Sequence, residues 1–440
     1  MNTPMPHAAA PGGEPAQPGF RTALRFWFKL GCLSFGGPAA QIAMMQAELV
    51  DRLRWIDQRA FLRGLNFCTL LPGPEAQQLA TYAGWRLHGL AGGIAAGALF
   101  VLPGALVLLL LSWVLAAGRH LPAVAAVFDG LKPVVVAIVA HAVWRIGRRA
   151  LASWHGWALA AGAFVALFAL RIDFPWVVLA AGLIGWLAGR GGTSPFVPGG
   201  GAHAADAATA ASADTLPAFW PRLARVAALY LVLLALPVAA CVAAFGQRPF
   251  LDIAELFTKA AFVTFGGAYA VLPYVAEHAV RDLGWLSPAQ MLDGLALAET
   301  TPGPLILVLQ YVGFFAAWHL AEPETRLAAA IAGAALTTWT TFLPSFALVL
   351  FAAPYVERLH ADARLGSALG AITAAIVGVI LNLAVFLAGA ILMPAAGRVD
   401  WIAAAIAAAT LAAMIRWSIA IHWLVAAGAV LGVARALAGI

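Results

Sequence analysis

Charge is what this sequence has least of. Only 10% of its 440 residues are Asp, Glu, Lys or Arg, against about a quarter in an ordinary soluble domain. Hydrophobic residues make up 63% and the mean hydropathy is +0.88, more apolar surface than a water-soluble core can absorb. Cysteine is scarce as well. Cys32, Cys68 and Cys241 lie far apart with no CxxC pair, which argues against a disulfide framework and a thiolate metal site. No HExxH, GxxxxGK or GxSxG occurs, so zinc hydrolysis, ATP-driven transport by this chain and serine-nucleophile chemistry lack their motifs. No catalytic residue, metal or cofactor is therefore expected. The formal net charge of +6 is scattered through short loops rather than gathered in a stripe with aromatic platforms. It reads as topology information and not as a nucleic-acid-binding surface.

What the sequence does have is long apolar runs, such as 91–117, 226–244 and 327–353, each able to cross a hydrocarbon layer about 30 Å thick. An all-α polytopic membrane protein is the expected fold class. Residues 1–19 are rich in Pro, Ala and Gly and lack the apolar run of a signal peptide, so a disordered cytoplasmic tail is expected.

The chain also repeats itself. Ser34-Phe35-Gly36-Gly37 returns as Thr264-Phe265-Gly266-Gly267, and Pro72-Gly73-Pro74 as Pro302-Gly303-Pro304, both at an offset of 230 residues. Trp55 and Trp285, and Gly64 and Gly294, keep the same register. Farther along, Tyr82-Ala83-Gly84 answers to Tyr311-Val312-Gly313 and Leu102-Pro103 to Leu343-Pro344, the drift being absorbed by a longer loop near 322–326. This is an internal duplication. The first repeat covers 20–189, with apolar segments near 22–47, 60–85, 90–117, 122–145, 151–170 and 174–189. The second covers 250–440, with segments near 251–275, 289–318, 325–353, 366–392, 399–415 and 418–438. A Gly/Ala/Ser/Pro linker, 190–221, reads as flexible and leads into one unduplicated span at 222–246. An even number of segments plus one extra span turns the second half upside down, an inverted repeat. The first two segments of each half are interrupted by Gly-Gly or Pro-Gly-Pro. They read as broken spans or as re-entrant segments, and the arginines at 52, 54, 59 and 63 sit better on the cytoplasmic side if they re-enter.

Inside a bilayer every backbone N–H and C=O needs a partner, so such breaks belong where protein or a wet cavity satisfies them. Matching breaks in two halves point to a midplane binding site, and a half-helix beginning there presents unpaired N–H groups to an anion. Lys29 and Lys259 stand six residues before Phe35 and Phe265, so both belong to the repeat and are expected to face an anion from two sides. Snorkelling to the interface is the plainer reading of each. Glu75, just after Pro74, and Glu299, three residues before Pro302, are candidate proton carriers, because a carboxylate beside an anion must be protonated or paired. Helix-terminal stabilisation of α-helical N–H groups is the alternative for Glu75, and a salt bridge to a lysine for Glu299. Gln77, Gln78, Thr264, Thr300 and Thr301, with Tyr269 and Gln310, are candidate hydrogen-bond donors.

FWFKLGCLSFGGP at 26–38, LLPGPEAQQLA at 70–80, FVTFGG at 262–267 and ETTPGP at 299–304 closely resemble the chromate ion transporter family in its long, two-domain form. The resemblance spans about 20–440 apart from the linker. It implies a bacterial inner-membrane protein that exports chromate and confers chromate resistance, with sulfate as a structural mimic; a multi-pass chain with its amino terminus inside is the expectation from the segments and loop charges. By the same resemblance Lys29, Phe35, Gly36, Gly37, Pro38, Pro72, Gly73, Pro74 and Glu75 line the site, with Phe265, Gly266, Gly267, Pro302, Gly303 and Pro304. Ala268 stands where the first half has Pro38, and Leu305 where it has Glu75, so the half-sites are not equivalent. The competing readings are a sulfate or other anion transporter or channel and, from another class, a membrane enzyme acting on lipid phosphates. The oligomeric state, a homo-oligomer included, is left open.

Overall fold

The computed structural model describes residues 17–35, 37–118, 120–191, 195–196, 218–265, 267–358, 363–393 and 399–438. Expectations for the amino-terminal tail before residue 17, for most of the linker, and for Gly36 and Gly266 fall outside these residues. Among the described residues all regular structure is helical.

The helices stop where the sequence removes helix-forming residues. α1 (Phe20–Leu33) ends at Ser34-Phe35, and α2 (Gly37–Gln46) follows and closes in a π-turn, Ala47–Arg52. α3 (Gln58–Leu70) is capped by Asp57, whose carboxylate accepts the Ala60 N–H at 2.9 Å, and it ends before Pro72-Gly73-Pro74. α4 (Glu75–Gly118) is one run of helix bent back on itself at His88 and Gly89, whose φ values are −140° and +61°. The fold-back is plain from Gly84 and Gly92: a Cβ on either would sit 2.4 Å or 2.3 Å from the other's carbonyl oxygen. Residues eight apart in a straight helix are about 12 Å apart. α5 (Pro122–Ala150), α6 (Trp154–Phe168) and α7 (Phe174–Ala188) complete the first half, and α8 (Phe219–Phe245) bridges to the second.

The second half runs through the same order: α9 (Phe250–Val263), α10 (Ala268–Glu277), a π-turn at His278–Asp282 and α11 (Pro288–Thr300). A break and a 3-10 turn, Leu305–Leu307, lead to α12 (Val308–Leu320) and α13 (Arg326–Ala352), the counterparts of the two limbs of α4. α14 (Ala363–Leu392), α15 (Trp401–Trp417) and α16 (Ile421–Leu437) follow. The duplication extends to packing. Gly64 lies against Tyr82 and Gly294 against Tyr311; Gly84 meets Gly92 and Gly313 meets Gly333.

The halves are not separate bodies. α6 and α7 pack on α14 of the other half, while α15 and α16 pack on α5. Small residues let these backbones approach: a Cβ on Gly130 would lie 2.2 Å from the Gly428 carbonyl, and one on Gly432 2.1 Å from that of Ala126. Gly130→Ala is therefore expected to destabilise the purified protein by about 1–3 kcal/mol through overpacking, read as a lower melting temperature in detergent. Gly162→Ala, which meets nothing within 4 Å, should leave it unchanged.

Among the described residues five helices, α4, α5, α8, α13 with its 3-10 extension, and α14, are long and apolar enough to cross a membrane. The chain reads as a multi-pass membrane protein. α8 has no buried residue and holds to α13 from outside. Arg222 donates to the Leu350 and Phe351 carbonyls at 2.6 and 3.1 Å, and the Trp339 indole donates to Leu233 at 2.7 Å. The arginine thus satisfies carbonyls that the end of α13 leaves without a helical partner.

Candidate functional site

The four interruptions that divide the two repeats meet in space. The Gly73 N–H donates to the Thr264 carbonyl at 2.7 Å, and the Gly303 N–H donates to the Ser34 carbonyl at 2.8 Å. These are equivalent residues of the two repeats, so one bond is the other with the halves exchanged. Pro38 lies 3.9 Å from where a Cβ on Gly267 would be, which brings the remaining pair of breaks together.

Each Pro-Gly-Pro turn carries positive φ at its glycine, +125° at Gly73 and +95° at Gly303, which L side chains rarely adopt. Each is also roofed by the other half. A Cβ on Gly104, in the second limb of α4, would lie 2.1 Å from the Pro302 carbonyl. Its repeat counterpart, Ser345 of α13, holds its Oγ 2.3 Å from a Cβ on Gly73.

The side-chain clamps differ between the halves: in the second, Gln310 donates to the Ala105 carbonyl at 2.8 Å, while those of the first hold the breaks themselves. The Gln41 amide donates to the Gly303 carbonyl at 2.8 Å and to Ser34 at 3.3 Å; the Gln78 amide donates to Pro72 at 2.7 Å, and Gln77 to Thr81 at 2.9 Å. Val271 and Val308 stand where the second half would need Gln41 and Gln78. Glu75 is the first residue of α4, where the amides of the opening turn have no intrahelical acceptor. On the other side Tyr269, buried at the start of α10, donates its hydroxyl to the carboxylate of Glu299 on α11. The charge of Arg145 on α5 reaches both groups. Ala39 and Thr69 occupy the equivalent places in the first half, so each half contributes one carboxyl at a different end of its break.

The lysines stand apart from this buried set. Both are exposed on the helices that precede the breaks, and Lys259 pairs with Glu255 one turn earlier at 2.5 Å. Arg25 occupies the position in α1 that Glu255 holds in α9. Phe35 is exposed and Phe265 half-buried. Thr264, Thr300 and Thr301 each donate to a carbonyl of their own helix.

A family model described as chromate transporter matches residues 21–186 and 251–433, so both repeats are covered. The chain belongs to the chromate transporter family. A chromate transport protein of Pseudomonas aeruginosa is 35% identical over 357 residues, 80% of this chain and 77% of its own length. A chromate transport protein of Cupriavidus metallidurans is 27% identical over 397 residues, 86% of this chain and 87% of its own length. No solved structure matches. The family match takes in all four breaks together with α4 and α13, which roof them.

Gln41, Thr337, Thr341 and Ser345 join the buried polar set without being singled out by the motifs, and Ser34, which opens its motif, joins through its backbone carbonyl. The Leu-Pro pairs of the repeat carry a signal for Ser345, since it and Gly104 are the residues that follow them.

Proposed function

We propose that this chain is a secondary transporter that carries chromate, a tetrahedral oxyanion, out of the cell across a bacterial inner membrane. The observation that supports it best is the reciprocal pair of backbone bonds, Gly73 to Thr264 and Gly303 to Ser34. The two bonds hold the breaks of one repeat against those of the other, and half-helices that open beside them present first-turn N–H groups of the kind that suits an anion. The inverted arrangement of the halves, expected from the parity of the segments, gives the two bonds opposite sides of the membrane. Opening toward one side parts one pair and toward the other side the second. Each bond is worth about 0.5–1.5 kcal/mol net, small enough to exchange for contacts to substrate.

In this scheme Lys29 and Lys259 draw the dianion toward the breaks, and Gln77, Gln78, Thr264, Thr300 and Thr301 line its path beside Phe35, Phe265 and the Gly and Pro residues of the four motifs. The membrane potential suffices as a driving force. Moving one charge through 100 mV is worth about 2.3 kcal/mol, so expelling a dianion gains about 4.6 kcal/mol. Sulfate, with the same shape and charge, is the natural competitor, and competition among tetrahedral oxyanions decides which one the site prefers.

The test is uptake of labelled chromate by inverted vesicles energised by a potential. Lys29→Ala is expected to cut uptake about tenfold, because Arg25 leaves the α1 face doubly positive. Lys259→Ala should act less, since Glu255 already neutralises that lysine locally. Wild-type vesicles no better than empty-vector vesicles overturn the assignment.

A further inference from the structure

One face of α13 is built unlike its repeat counterpart. Thr337, Thr341 and Ser345 follow at four-residue spacing and so share a side of the helix. All three are 0–1% exposed, and none of their hydroxyls has a partner. A buried hydroxyl left unbonded costs about 1–3 kcal/mol, and a remedy lies one turn away. Ser112, Thr264, Thr338, Thr340 and Thr373 all donate to the carbonyl four residues back, at 2.6–3.0 Å. The three on this face do not. In the first half the same places hold Ala96, Phe100 and Gly104, so the fold does not require hydroxyls there.

The face also leads to the breaks. A Cβ on Gly313 would fall 1.8 Å from the Thr337 Oγ1, and one on Gly73 2.3 Å from the Ser345 Oγ and 2.7 Å from the Gln78 Nε2. Glycine on the facing element makes room for the hydroxyl at both ends of the row. The Oε1 atoms of Gln77 and Gln78 are unpartnered too.

We propose that Thr337, Thr341 and Ser345 form a hydroxyl track that hands a tetrahedral oxyanion to and from the Gly73 break, with Ser345 the donor that selects it there. The assignment rests on the transport reading above. An oxyanion offers only acceptors on four corners, and a rotating O–H meets each corner in turn without a fixed charge to trap it. Because the track exists in one half alone, substrate leaves and reaches the site by chemically different walls.

The experiment uses the full chain in inverted vesicles, with labelled chromate as probe and sulfate as competitor. Thr341→Val and Ser345→Ala should each raise the KM for chromate about 10- to 100-fold, the loss of one hydrogen bond to a charged group, and Ser345→Ala should also shift the ratio of sulfate to chromate affinity. Thr341→Ser should restore the wild-type KM. Melting temperatures should hold or rise in all three, since no partnered group is removed. Active wild-type vesicles with an unchanged KM in Thr341→Val and Ser345→Ala overturn the track and leave the transport reading standing. Wild-type vesicles without chromate uptake overturn both.

Discussion

Gly73→Ala is expected to stop transport in vesicles that still contain the protein. The new methyl group would lie 2.3 Å from the Ser345 Oγ and 2.7 Å from the Gln78 Nε2, on a residue whose φ is +125°. Backbone strain of this kind costs about 1–3 kcal/mol, and overpacking adds about as much again. If the cost falls on the transport cycle, the rate drops about a hundredfold or more. Gly303→Ala should do less. Its nearest neighbour is the end of the Leu307 side chain at 3.0 Å, which can move aside. Adding Ser345→Gly to Gly73→Ala should recover part of the rate at saturating chromate, because it removes the closer contact and leaves the Gln78 contact and the strain. Initial uptake rates of the three variants, normalised to protein, check the order. Equal rates for Gly73→Ala and wild type would mean the turn is no part of the transport cycle.

Glu299→Gln should flatten the dependence of transport on pH. A carboxyl held by the Tyr269 hydroxyl and reached by the charge of Arg145 is placed to bind and release a proton as substrate comes and goes, and an amide keeps the hydrogen bond without titrating. At the favoured pH the variant is expected to lose about a hundredfold in rate, the lower end for a step that has lost its acid–base group. Glu75→Gln provides the comparison, because Glu75 starts α4 in a half where Ala39 stands in the place of Tyr269. Uptake measured from pH 5.5 to 8 under a clamped potential is the readout. A wild-type rate that does not vary over this range would rule out proton coupling through either carboxyl and leave the potential as the driving force.

Much of this was legible from residues alone. Long apolar runs required helices, and Pro-Gly-Pro at 72–74 and 302–304 marked where they end, because proline removes a donor and glycine accepts positive φ. The repeat was legible for the same reason: breaks are rare, and four in register are conspicuous. Which break bonds to which was not, since the exchange between Gly73 and Thr264 depends on how the halves cross. The crossing in turn depends on contacts such as that between Gly130 and Gly428, which no local pattern encodes. The ion pair of Lys259 with Glu255 was within reach, as acidic and basic residues four apart on a helix face each other. Reading the lysines through the repeat hid it, because Arg25 breaks the match. The hydroxyl face of α13 escaped for a related reason: its first-half counterpart, Ala96, Phe100 and Gly104, looks like ordinary apolar packing.

The exchange of helices between the halves bears on how the chain is made. When α7 leaves the ribosome, α14, the helix it lies on, has not yet been synthesised. About 175 residues separate the end of the one from the start of the other, and at about 5–20 residues per second that is a wait of roughly 10–35 s. Until then α6 and α7 must rest against lipid or an insertion factor. The native arrangement is reached only when the nascent chain is nearly complete, so a nonsense codon anywhere before α14 leaves no assembled half behind.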